Sequence, residues 1–140
     1  MKFISLIIPF LLMTPSLEGS YDYKITRVID GDTIAFEAPF LPFPLKQELS
    51  LRVYGVDTPE KGFRSQCASE AELGKLASKY VQNLVKTATN VKIIIMQWDK
   101  YGGRVLGDVL LDKKSLRSLL IKNGYAREYF GDKKSSWCKE

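Results

Sequence analysis

The hydrophobic period of this chain changes near Pro59 and Gly62, and that change limits what it can fold into. Before it, Tyr23, Ile25, Arg27 and Ile29 alternate with Lys24, Thr26 and Val28, a period of two that predicts a strand. An Asp30-Gly31 turn signal leads to a second strand at residues 33–36, and residues 49–56 form a third. Between them, Pro39, Pro42 and Pro44 each lack a ladder donor, so residues 38–44 read as an apolar surface loop. After the change, Leu73, Leu76, Ala77, Tyr80, Val81, Leu84 and Val85 fall three and four apart, one face of an amphipathic helix that Asn90 ends. Ser69 and Glu72 have the spacing of a capping box near its start. Residues 91–96 and 105–111 are two further strands around a polar turn at 99–103. A short helix then runs over 115–123, with Gly124 as its left-handed stop.

At 140 residues the chain can bury one core, and with 45% apolar and 26% charged residues it has the balance of a folded domain. There is no internal repeat and no linker. Three strands, a helix, two strands and a helix fit an α+β, mainly β fold: a five-stranded OB-type barrel with two to three packed helices. Propensity alone does not select that barrel over other α+β folds.

The chain has no histidine. Ser-His-Asp and Cys-His nucleophiles, histidine bases and most catalytic zinc sites are therefore excluded. Hydrolysis would have to run on carboxylate, tyrosine, lysine or arginine, with a hard, oxygen-seeking metal as the natural helper. Lys and Arg number 21 against 16 Asp and Glu, a net charge of +5 that favours an acidic partner such as nucleic acid or an anionic membrane.

Lys2 and the apolar run over residues 3–13, followed by Pro15, Ser16, Gly19 and Ser20, have the pattern of an export signal. The run is too short to span a bilayer. The expected division is a signal over residues 1–20 and a mature domain over 21–140, secreted or periplasmic, monomeric and without stable membrane association. In an oxidising compartment Cys67 and Cys138 favour a single disulfide, the alternative being two free thiols.

Three segments carry the chemistry: Asp30-Gly31-Asp32-Thr33, then residues 51–60 with Arg52, Asp57, Thr58, Pro59 and Glu60, then Asp99-Lys100-Tyr101-Gly102-Gly103-Arg104. Each alone is a common turn or helix entry. In this order they resemble the staphylococcal nuclease (thermonuclease) family over nearly all of residues 22–130. The resemblance selects the OB-type barrel.

It also implies roles. Asp32, Asp57 and the Thr58 carbonyl offer hard oxygen ligands for Ca²⁺, with Asp30 acting through water. Arg52 and Arg104 would clamp the phosphate as its negative charge grows in the transition state, a task a planar guanidinium suits better than lysine. Glu60 would orient or deprotonate the attacking water. Lys100 and Tyr101 match positions beside the terminal phosphate and base, while Tyr125, Tyr129 and Phe130 are candidates to stack on bases of an unpaired strand. The implied activity is Ca²⁺-dependent cleavage of DNA and RNA, single-stranded or frayed by preference, with little sugar specificity and 3′-phosphate ends. The rival reading is a noncatalytic OB-type nucleic-acid-binding module, against which the intact carboxylates and arginines argue.

Overall fold

The computed structural model describes residues 19–139, so residues 1–18 of the expected export signal over residues 1–20 lie outside the described residues. The elements run β1 Ser20–Tyr21, β2 Ile25–Asp30, β3 Thr33–Glu37, β4 Glu48–Val53, β5 Val56–Asp57, a 3₁₀ turn Gly62–Arg64, α1 Ala68–Thr87, β6 Val91–Trp98, β7 Arg104–Leu111, β8 Lys114–Ser115, α2 Leu116–Lys122 and β9 Arg127–Glu128. Among the described residues the fold is mainly β with two α-helices. Its main sheet has the order β1-β6-β7-β4-β3-β2, with β8 on β7, while β5 and β9 form a separate pair. All neighbours are antiparallel except β4 and β7, which run parallel.

Two sequence expectations need correction here. The sheet path does not close into a ring, and the described residues form nine strands, of which five have five or more residues. The extra count comes partly from a split in the expected strand over 49–56. Gly55 adopts φ 74°, a region that favours glycine, and the chain leaves the main sheet there so that β5 can pair with β9. The second correction concerns the start of α1. Cys67, still extended at φ −161°, is the N-cap residue, and its sulfur accepts from the Glu70 N–H at 3.4 Å. Ser69 is already inside the helix, and Glu70 rather than Glu72 reaches back, accepting from the Gln66 N–H at 2.7 Å.

The core joins sheet and helices. Ile34, Phe36, Leu51, Val53, Ile93 and Val109 meet Val81 of α1 and Leu116 and Leu120 of α2, all essentially without exposure. Burial alternates strictly along β7 from Val105 to Leu111, so a one-residue slip would turn that apolar set outward. At about 1.5–3 kcal/mol for each fully buried large side chain, this pins the register of β4 against β7. Ser50, Arg52, Arg104 and Leu106 consequently share the face opposite Leu51 and Val105.

Helix α2 keeps its expected frame. The Ser115 hydroxyl caps it by accepting from the Ser118 N–H, and Gly124 at φ 77° ends it. Helix α1 presses on two loops at once. A Cβ on Gly31 would lie 2.9 Å from the Ala77 Cβ, and one on Gly74 would lie 2.5 Å from the Glu60 carbonyl oxygen. Bare glycines at those contacts let the helix bring the 30–32 turn and the 57–61 segment together.

Candidate active site

The tight turn between β2 and β3 projects two carboxylates. Asp30 is part-buried, and its Oδ1 is enclosed with no hydrogen-bond partner. Asp32 accepts from the Thr33 hydroxyl at 2.9 Å through Oδ1, while its Oδ2 lies 3.6 Å from the Arg52 Nε. Thr58 packs beside Gly31 of this turn, which brings the segment after β5 alongside it. Glu60 follows two residues later. Its backbone N–H donates to the buried Glu70 carboxylate at 3.2 Å, so the residue that holds the start of α1 also fixes the loop carrying Glu60.

The electrostatics of the cluster are those of acids short of a counter-ion. Burial, and next the Asp32 charge, push the Asp30 carboxyl above its ordinary value. Burial does the same for Glu60, with Asp32 and Asp30 adding to it. Among the described residues, no three His, Cys, Asp or Glu converge into a preassembled metal cage. The donors nonetheless fit a hard cation: they are oxygens only, one is buried and orphaned, and they repel one another.

Asp57, buried at the end of β5, has both oxygens engaged. The Trp137 indole N–H donates to Oδ2 at 2.9 Å and the Lys134 ammonium lies 3.4 Å from Oδ1. Both come from the C-terminal segment, where Cys138 is bonded to Cys67 at the N-cap of α1.

Beside the acids runs a groove of about 580 Å³, lined by Arg52, Tyr54, Trp98, Lys100, Tyr101, Tyr129, Phe130 and Lys134 among others. Its rim is aromatic and accessible: Tyr101 is 81% exposed and Trp98 59%. Lysine ammoniums sit over two of the rings, Lys100 over Tyr101 and Lys134 over Tyr129.

Arg52, Lys100, Tyr101 and Tyr129 are thus brought to one groove, with Asp32 at its border. Of the residues expected to contact the strand, two do not line the groove themselves. Tyr125 stacks on Tyr80, ring centroids 4.6 Å apart, against the core and away from the groove. Arg104 turns to Asp99, its Nε donating at 2.7 Å and its Nη2 also paired there. That hydrogen bond, foremost, holds the Asp99 carboxyl below the usual carboxylate range. The turn that supplies Asp99 explains the paired glycines: Gly102 and Gly103 both have positive φ, 71° and 69°.

Sequence reasoning missed Trp98, Glu70, Gly74 and Trp137. Trp98 carried a visible signal, a tryptophan immediately before the Asp99-Lys100-Tyr101 segment. The other three act through contacts between distant segments, which no local pattern encodes.

Comparison with known proteins agrees with this geometry. The model of the family described as staphylococcal nuclease homologue matches residues 50–139. The endonuclease YhcR of Bacillus subtilis is 38% identical over 122 residues, 83% of this chain, which spans only 10% of that protein. A thermonuclease of Staphylococcus hyicus is 33% identical over 126 residues, covering 87% of this chain and 68% of its own length. An uncharacterized endonuclease of Escherichia coli is 27% identical over 129 residues, 91% of this chain and 73% of its own. With the arginine-linked groove and acidic turn in place, these matches establish that the chain belongs to the staphylococcal nuclease family.

Proposed function

We infer that this chain is a Ca²⁺-dependent nuclease hydrolysing phosphodiester bonds in DNA and RNA, with unpaired or frayed strands as its preferred substrate and 3′-phosphate ends as its product. The observation that carries the reading is the position of Arg52. Its guanidinium lies 3.6 Å from Asp32 on one side and lines the basic, aromatic groove on the other. A strand path and a group of cation-seeking acids therefore adjoin at a side chain suited to grip phosphate. A pure binding module has no use for part-buried carboxylates that repel one another, so the same cluster weighs against the noncatalytic reading.

Asp32, Asp57 and the Thr58 carbonyl would hold the cation, with Asp30 acting through water, and bound Ca²⁺ would supply charge stabilisation at the phosphate. Arg52 donates to the phosphate oxygens from the groove side. Arg104, with Nε and Nη2 on Asp99, is held in one orientation and has Nη1 left for the substrate. Glu60, on the loop fixed by Glu70, takes the proton of the attacking water. Lys100, Tyr101 and Tyr129 line the path of the strand.

Export to a secreted or periplasmic location fits the apolar N-terminus. Because Ser20 and Tyr21 pair with Ile94 and Ile93, we place the cut ahead of Gly19 rather than after Ser20. Mass spectrometry of the mature protein checks that position. The activity is tested by incubating the protein with single-stranded DNA in Ca²⁺ and then in chelator. Cleavage that stops in chelator is expected; uncleaved but tightly bound DNA in Ca²⁺ would favour the binding module.

A further inference from the structure

We propose that Trp137 is a positioning residue for the calcium site, orienting the Asp57 carboxylate through its indole N–H, with Lys134 as the built-in cation that a metal displaces from the same carboxylate. The inference rests on the reading of Asp57 as a Ca²⁺ ligand and deepens it.

Three observations converge. First, both oxygens of a buried carboxylate are met by one short stretch of chain: Trp137 Nε1 at 2.9 Å from Oδ2, and Lys134 Nζ at 3.4 Å from Oδ1. The two contacts differ in kind. The indole is a neutral donor with fixed geometry that takes one lone pair of Oδ2 and leaves the charge intact. The ammonium is long-range, half-exposed and on a flexible stem, so a divalent cation can replace it.

Second, Trp137 is itself held. The Arg127 guanidinium carbon lies 3.8 Å from the centre of its ring, and Arg127 Nη1 donates to the Ser136 carbonyl at 3.0 Å. Arg127 is the residue paired with Asp57 in the β5–β9 ladder, so the carboxylate and the group that orients it share one support. Third, the residue after Trp137 is Cys138, bonded to Cys67, which fastens the segment to the start of α1. Without such fixing, a tail rich in Lys and Ser would have little to hold it against the site.

Carboxylates that ligate metals are themselves hydrogen-bonded, and removal of such outer partners commonly costs 10–100-fold in metal affinity. Trp137→Phe keeps an aromatic ring beside Arg127 and the disulfide, and removes the N–H with the five-membered part of the indole. Calcium titration of the full chain by calorimetry, with no nucleic acid present, should therefore show a dissociation constant roughly 10-fold or more above the parent's. Lys134→Gln should move the constant the other way, because a competing positive charge has gone. Thermal unfolding of Trp137→Phe in chelator reads separately the stability lost by leaving the buried Asp57 oxygen without its donor. As a second measurement, independent of whether that variant folds, Trp98→Phe leaves Trp137 as the sole tryptophan. Calcium should then shift its emission, since the carboxylate it bonds loses free charge. Parent-like affinity in Trp137→Phe, or emission unmoved by calcium that binds, overturns the proposal alone. A parent that binds no calcium overturns the metal reading together with it.

Discussion

Replacing Gly74 by alanine separates the stability of this protein from its activity. The helix interior favours alanine over glycine by about 1 kcal/mol. Here, however, the new Cβ would stand 2.5 Å from the Glu60 carbonyl oxygen, 2.7 Å from its carbonyl carbon and 2.9 Å from the Lys61 nitrogen. All three are backbone atoms, which cannot swing aside as a side-chain tip can. Reaching ordinary contact at 3.4 Å requires helix and loop to part by roughly 0.9 Å. Overpacking of that kind costs about 1–3 kcal/mol, so the net loss of stability should be at most about 2 kcal/mol after the helical gain. The loop that retreats is the one carrying Glu60. Displacing a reacting group by about 1 Å can cost on the order of 10²-fold in rate, so kcat should fall by roughly 10- to 100-fold while the protein remains folded. The assay is single-turnover cleavage of single-stranded DNA at saturating Ca²⁺, beside calorimetric unfolding of the same samples. Lys79→Ala, an exposed change on the same helix, is the control. If Gly74→Ala cleaves at the parent rate while its unfolding shows that the strain is real, then α1 does not set the position of Glu60, or Glu60 is not the base.

Removing both cysteines together, as Cys67→Ser with Cys138→Ser, opens a loop whose ends are 71 residues apart; the chain-entropy ceiling is roughly 4 kcal/mol. The melting temperature should drop by up to roughly 10–15 °C in calorimetry, and no drop would mean the bridge constrains little. Trp98→Ala should weaken binding of a single-stranded oligonucleotide by the 1–3 kcal/mol of one stacked base, without changing the slope of log affinity against log salt, because no charge is lost. Anisotropy titrations at several salt concentrations check both parts, and unchanged affinity would remove this groove as the strand path. For Asp99→Asn the expectation follows from sign. The parent carboxyl, held below its ordinary 3.8 mainly by Arg104, contributes stability that is present above that pH and is lost as pH falls through the lower folded value. The stability difference between parent and variant, from denaturant unfolding at a series of pH values, should be constant above that range and shrink in acid; a difference that grows in acid would refute the assignment.

How far the sequence led follows from where each signal resides. Local signals located β2, β3, β6, β7 and both helices: alternation in β7, where one face is buried, three- and four-residue spacing in the helices, and a short apolar run in β3, which is buried at four consecutive positions. They could not find β1, β8 or β9, two-residue strands that exist only because a partner already stands there. They read residues 49–56 as unbroken, since Gly55 turns the chain for a reason supplied at the far end, where β9 waits for β5. The capping error has a similar origin. Ser69 and Glu72 satisfy a local rule, whereas Glu70 is chosen by the loop at Glu60, ten residues upstream.

The site divides along the same line. Arg52, Asp32 and Lys100 sit in turns and strand ends that the β3–β4 and β4–β7 ladders bring together, Arg52 standing 3.6 Å from Asp32 and lining the groove with Lys100. Arg104 begins β7, and the short loop that two glycines close returns Asp99 to meet its guanidinium, a contact that no local pattern encodes. Tyr125 packs on Tyr80 of α1, since an aromatic after a helix stop has no local cue that distinguishes a stacking surface from a core. Substitution at Tyr125 should accordingly behave as a loss of packing against Tyr80, and substitution at Trp98 as a loss of substrate.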